Sequence, residues 1–234
     1  MKRLWMNQVV VVLLLVCTGI AQGAVTSPYW GRLDGFTNQV VVYGLSKEYY
    51  YPYAEIQVRI PQLVGVADQE WQAQLNTELA ATIEGFVQEI LEIGAEVYAE
   101  YGEEAVMPYS GIVDFEVKAN QGGLLSLVIT YYAFTGGAHG MTYLDYLNYD
   151  LTTGHRLQFA DFFPTEEELN RVVNVINARI AEEPEWFFIE EFTRSLFNPE
   201  QGFYLENEGV VVCFGLYELA PYAAGIQEFS VSAP

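Results

Sequence analysis

The chain has 234 residues, enough for one large domain or two small ones with ample core. Half of it is hydrophobic (51%), and 31 acidic against 10 basic residues set the net charge at −21, which excludes nucleic acid as a partner because phosphates demand the opposite sign. The same charge permits a cationic partner and speeds encounter with it, or serves solubility alone.

Lys2 and Arg3 precede an apolar run from Val9 through Ile20, and Ala21 and Gly23 are placed for signal-peptidase cleavage after Gly23. Asn7 and Gln8 interrupt the run, leaving it short of the ~20 apolar residues of a membrane span. Val16 is too bulky for the position before a lipidated cysteine, which argues against a lipoprotein anchored at Cys17. The reading is therefore an exported protein, secreted or periplasmic, with no membrane span once the leader is removed. The mature chain would have 211 residues (234 less 23), and losing Lys2 and Arg3 takes its charge from −21 to −23. Cys213 is then its sole cysteine, so no internal disulfide forms; the apolar run Val210–Leu216 marks it as an inert buried thiol.

From Ala24 to Lys47 the chain reads as an irregular lead-in with one short strand, Gln39–Tyr43. Tyr49 to Tyr53 is an aromatic cluster, suited either to stacking on a sugar or protein surface or to closing one end of the core. Ile56, Val58 and Ile60 alternate with polar residues as in a half-buried strand, which Pro61 ends. Asp68 is then a helix N-cap, and Trp71, Leu75, Leu79, Ile83, Phe86, Val87, Ile90 and Leu91 form one apolar stripe of a helix over 68–98. Gly85 and Gly94 are candidate kinks, each costing about 1 kcal/mol relative to alanine. The glutamates off the stripe read as a solvated face.

Period two returns at Ile112–Lys118 and Leu124–Phe134, a hairpin closed by Ala119–Gly123. A glycine-rich knot, Gly136-Gly137-Ala138-His139-Gly140, follows. Beyond it Met141, Tyr143, Asp145, Leu147 and Tyr149 share one strand face, and Asp150–Gly154 turns the chain back at His155–Phe159. Thr165 and Glu168 make a capping box that opens a helix to about Ile180, which explains the three successive glutamates without a metal. Pro184 starts a second helical stretch through Phe197. Phe203–Leu205, Val210–Leu216 and Ile226–Val231 are closing strands.

The expected fold class is α+β, two packed antiparallel-sheet and helix halves joined at the glycine-rich crossing. By residue, 1–23 is a signal peptide, 24–47 the lead-in, 48–140 a first α+β domain with the long helix, and 141–234 a second.

No constellation in the chain specifies a reaction. His139 and His155 lack partners at metal-ligand spacing, and Ser110 and Ser126 lack a nucleophile-elbow context. There is no phosphate-binding or dinucleotide-binding glycine loop, so no cofactor, metal or catalytic residue is assigned. A pair of carboxylates acting as a wall-polymer hydrolase remains open among so many acids, as does a scaffold role suggested by the many tyrosines. The candidate ligand-binding residues are His139, Gly136, Gly137, Gly140, Tyr132 and Tyr143, because glycines let a backbone approach a ligand closely. The alternative for His139 is a bond to its own turn.

Four ordered motifs carry a family resemblance. Gly136–Gly140, Asn148–Gly154, Leu157–Phe163 and Tyr217–Gly225 together resemble a paired bacterial module, spanning about Glu55 to Val231. The module is two successive uncharacterised domains in the extracellular half of sigma-V-type anti-sigma factors, which sense lysozyme by binding it. Its first domain also accompanies some peptidoglycan deacetylases. Nothing like a sigma-binding segment precedes the apolar stretch, and no deacetylase domain is recognisable. The resemblance thus implies an exported module that binds a cell-wall component, peptidoglycan among them, or a cationic wall-active protein of the lysozyme kind.

Overall fold

The computed structural model describes residues 26–102 and 108–234. The expected leader, 1–23, lies outside the described residues. The architecture is α+β in two halves, one built on a six-stranded sheet of order β1-β2-β3-β4-β5-β6 and one on a three-stranded sheet of order β7-β8-β9.

β1 (Val41–Tyr51) and β2 (Ala54–Val64) form an antiparallel hairpin. Ile56, Val58 and Ile60 are buried in alternation, yet β2 runs on through Pro61. It pairs with β3 only over Ala54–Val58. Beyond that point one side of the strand has no ladder to donate to, and a proline lacking its N–H is tolerated. β1 likewise outruns the expected Gln39–Tyr43, since its register with β2 persists to Tyr51 opposite Ala54.

α1 (Gln69–Tyr101) is capped by Asp68, whose carboxylate accepts from the backbone N–H of Glu70 at 3.1 Å and Trp71 at 3.0 Å. It buries Leu75, Leu79, Ile83, Val87 and Ile90 against the sheet, each contributing about 1.5–3 kcal/mol of burial. The helix is continuous through both glycines. Gly94 lies so close to Tyr53 that a Cβ there would sit 3.0 Å from its ring, so this glycine serves close packing. Around it Tyr51, Tyr53 and Tyr98 form an aromatic chain, while the Tyr49 hydroxyl bonds to Glu84. Tyr49 and Tyr53 thus close the end of the α1 core, with Tyr50 and Tyr51 left exposed.

Because α1 returns the chain to the end of the sheet where β2 began, β3 (Tyr109–Gln121) runs parallel to β2, an exception to the expected antiparallel pairing. β4 (Leu124–Phe134) and β5 (Met141–Asp150) continue antiparallel, and β6 (His155–Arg156) is a short edge. The glycine-rich segment is therefore the β4–β5 hairpin loop. It is not the crossing between halves, because β5 pairs with β4 from Met141 opposite Ala133 to Asp150 opposite Leu124. A boundary at Gly140 would cut a continuous sheet. The passage to the second half comes after β6, through the single turn α2 (Phe159–Phe162).

α3 (Glu166–Glu182) opens with the expected capping box: Glu168 N–H donates to Thr165 Oγ1 at 3.2 Å, and Thr165 N–H to Glu168 Oε2 at 3.3 Å. It packs on the antiparallel meander β7 (Phe203–Glu206), β8 (Gly209–Phe214) and β9 (Gln227–Ser232). Between α3 and β7 the expected helix over 184–197 is absent, reduced to 3-10 turns at Pro184–Trp186 and Arg194–Leu196. Tertiary hydrogen bonds override the local periodicity there. Asn177 clasps the backbone of Phe192 through both its amide atoms, and Phe188 N–H donates to Leu219 O. The open course lets Phe187 and Phe192 enter the core.

The lead-in is also more ordered than expected. A 3-10 turn at Trp30–Arg32 plugs Trp30 edge-on against Phe162 and Phe163, with its Nε1–H donating to Phe162 O at 3.2 Å.

The six-stranded sheet is a middle layer. Strand register places Val58, Val113, Ile129 and Leu147 on the α1 face, and Ser126, Val128, Leu144 and Asn148 on the face covered by β7 and β8. A buried polar network crosses that second interface. Ser126 Oγ donates to Asn148 Oδ1 at 2.6 Å and accepts from Leu205 N–H at 3.0 Å, while Asn148 Nδ2 donates to Phe203 O at 2.8 Å. Asn148→Leu strips these partners, leaving the Phe203 carbonyl without the amide and the Ser126 hydroxyl without an acceptor for its proton, an expected loss of about 2–4 kcal/mol. For a chain of this size that is a fall of about 5–15 °C in Tm by calorimetry; an unchanged Tm would mean that the network contributes nothing.

Candidate functional site

The expected ligand-binding residues sit on and beside the β4–β5 loop. Gly136 (φ 97°) and Gly137 (φ 90°) turn the chain with open space around them. Gly140 instead is buried, with a Cβ position 2.4 Å from the Tyr132 ring.

His139 is held on two sides. Its Nδ1 lies 2.9 Å from Gly140 O, and a carbonyl only accepts, so Nδ1 carries the proton. Its Nε2 lies 3.4 Å from the Tyr217 hydroxyl. The ring stacks on Tyr222 at 3.9 Å, and the Tyr222 hydroxyl donates to Gly140 O at 3.0 Å. Both tyrosines come from the second half, in the segment 217–225 that was paired with the glycine knot only by sequence motif. Tyr217 has φ 66° without being a glycine. The loop is thus a clasp between the halves as well as a hairpin end.

On the opposite side the loop ends a groove of about 680 Å³ between α1 and the β4–β5 end of the sheet. α1 packs chiefly on β2 and β3, leaving the Met141–Asp145 end of β5 open. The helix supplies Phe86, Glu89, Ile90 and Ile93, the strands Tyr131, Met141, Tyr143 and Asp145, and the loop Gly136 and His139. Of the expected residues, His139, Gly136 and Tyr143 line this groove. Tyr132 faces the other side of β4, under Gly140, and Gly137 and Gly140 are not part of the lining.

Tyr131, Asp145 and Glu89 were not singled out from sequence. Asp145 had one local signal, an acid on an otherwise apolar strand face. Tyr131 is 7% exposed, packs edge-on to Phe86 at 5.3 Å, and its buried hydroxyl lies against the Asp145 carboxylate. Burial, and then the nearby Asp145 carboxylate, raise its pKa.

A smaller cleft of about 310 Å³ lies on the other face, between β5 and the segments 198–202 and 215–218. Cys213 lies at it, buried and free, its thiol pushed up to about 12 by burial, so it is no nucleophile at neutral pH. His155 is exposed, 3.4 Å from Asp161. Among the described residues no group of three or more His, Cys, Asp or Glu side chains is arranged to hold a metal. Among them, too, no helix is long and apolar enough to cross a membrane.

Comparison with known proteins finds two family models along the chain. Residues 48–142 match the family model described as Deacetylase PdaC, and residues 160–233 match that described as Protein of unknown function (DUF3298). Two domain families in tandem agree with the paired module that the motifs implied. β5 and β6, largely between the two matched stretches, complete the first sheet.

In particular, the fold is similar to the crystal structure of a DUF3298 family member from Bacteroides fragilis, with a TM-score of 0.64 at 20% identity over 85% of this chain and 91% of that one. It is also similar to a DUF3298 family protein from Pseudomonas aeruginosa, with a TM-score of 0.55 at 20% identity over 86% and 92%. No curated protein matches the chain.

Proposed function

We propose that the chain is an exported, non-catalytic binding module, secreted or periplasmic, for a cell-wall component or a cationic wall-active protein of the lysozyme kind. The observation that carries this reading is the outer face of α1. Over 33 residues the helix has no lysine or arginine, and Glu78, Glu89, Glu92 and Glu96 are exposed beside the groove. Such a face attracts a cationic surface over roughly a Debye length, ~8 Å at physiological salt.

Surface plasmon resonance of the exported chain over immobilised lysozyme should give saturable binding at about 20 mM salt that weakens by roughly tenfold or more near 300 mM. A pull-down on insoluble peptidoglycan tests the wall component. Saturable binding to neither would overturn the reading.

A further inference from the structure

The groove between α1 and β4–β5 offers more than an acidic surface. Its walls are apolar at Phe86, Ile90, Ile93 and Met141, and two carboxylates, Glu89 and Asp145, stand on opposite sides of it, one on the helix and one on the sheet. Among the described residues no lysine or arginine lines it. The Tyr131 hydroxyl, nine-tenths buried with its residue, lies against the Asp145 carboxylate, so the two oxygens sit together at the floor of the groove.

We infer that this groove takes one lysine or arginine side chain of a cationic partner, the aliphatic stem on Phe86, Ile90 and Ile93 and the charged head donating to Asp145, Glu89 and the Tyr131 oxygen. Charge complementarity selects this occupant. A neutral sugar would bond to the carboxylates yet leave their charge uncompensated, whereas an ammonium or guanidinium neutralises it and donates to every acceptor present. The exposed Tyr143 ring and the Phe86 ring add faces for cation–π contact. Lysine and arginine alone among side chains combine a long apolar stem with such a head.

This deepens the binding reading above and rests on it for the partner. Its test is separable. n-Pentylamine and agmatine, with pentanol as the neutral control, are titrated into the labelled exported chain while side-chain methyl resonances are followed by NMR. The amines should shift Ile90, Ile93 and Met141 saturably, with dissociation constants on the order of 1–10 mM, and pentanol at equal concentration should not. Asp145→Asn, at an exposed position that leaves folding intact, should weaken the amines about tenfold, the loss typical of one charge-assisted hydrogen bond. Tyr131→Phe, which keeps the ring against Phe86 and removes only the hydroxyl, should weaken them severalfold. Absence of saturable shifts, or equal shifts with pentanol, overturns the proposal.

Lysozyme binding by Asp145→Asn and Ile93→Ser separates the two readings. Wild-type affinity in both variants overturns the groove as the docking point and leaves the module reading standing. Loss of affinity in both supports it. Amine shifts in a chain that ignores lysozyme uphold the groove and sink only the partner.

Discussion

Asp150→Ala is expected to destabilise the protein by about 3–5 kcal/mol, the usual cost of breaking a buried ion pair from one side. Asp150 has its side chain 7% exposed and receives both guanidinium arms of Arg32 at 2.8 Å, with Thr152 N–H adding a third donor at 2.9 Å. Arg32 in turn donates from Nε to Gly122 O at 2.9 Å and from Nη2 to Gly123 O at 3.1 Å. One side chain of the lead-in therefore ties the β3–β4 turn to the β5–β6 turn, and losing the Asp150 carboxylate leaves a half-buried guanidinium without its charge partner.

The hydrogen bond from Arg32, with Thr152 in support, holds the Asp150 carboxyl well below the usual carboxylate range. A folded-state pKa below the unfolded one means that this stabilisation is complete above the unfolded value of about 3.9 and is lost as pH falls through the folded value. Urea unfolding from pH 6 down to pH 2 should accordingly show a steeper acid loss in wild type than in Asp150→Asn. Parallel curves would refute the assignment.

Gly122→Ala should be comparably severe, about 3 kcal/mol or more. Its backbone sits at φ 58°, where a Cβ adds strain of about 1 kcal/mol, and that Cβ would lie 1.9 Å from Arg32 O. The obstacle is backbone, which cannot rotate away, so either the two-residue Gly122–Gly123 turn or the 30–36 segment must move. Gly122 N–H also donates to Phe36 O at 2.9 Å, and that bond would be lost with the displacement. Equilibrium denaturation checks the size of the effect. A Gly136→Ala control, strained in φ but open in space, should cost only about 1 kcal/mol.

What could be read locally was read where short-range physics decides. Asp68 and Thr165 cap their helices because a side-chain oxygen can satisfy a free N–H two or three residues on, whatever the rest of the chain does. The apolar stripe from Leu75 to Ile90 and the alternation in β2 to β5 are buried because one face of a helix or strand must be. The α+β class followed from these. Export remains an inference from residues 1–23.

What failed was wherever pairing between distant segments competed with local pattern. Phe187 to Leu196 carry helical spacing, yet Asn177 and Leu219 offer backbone partners that an isolated segment lacks. Pro61 looks like a stop until the pairing of β2 with β3 proves to end at Val58. The glycine knot looks like a hinge because three glycines in five residues suit any reversal, and only the β4–β5 register says which one.

The candidate site divides the same way. Sequence alone marked His139, Gly136 and Tyr143, and determined the charge and acidity that any partner must answer. Tyr131, Asp145, Glu89 and Phe86 lie on three different elements, and Tyr217 and Tyr222 lie some 80 residues beyond the loop they clasp. Their meeting was decided by where α1 crosses the sheet and by which face the second half covers, both long-range packing choices with no short-range trace in the chain.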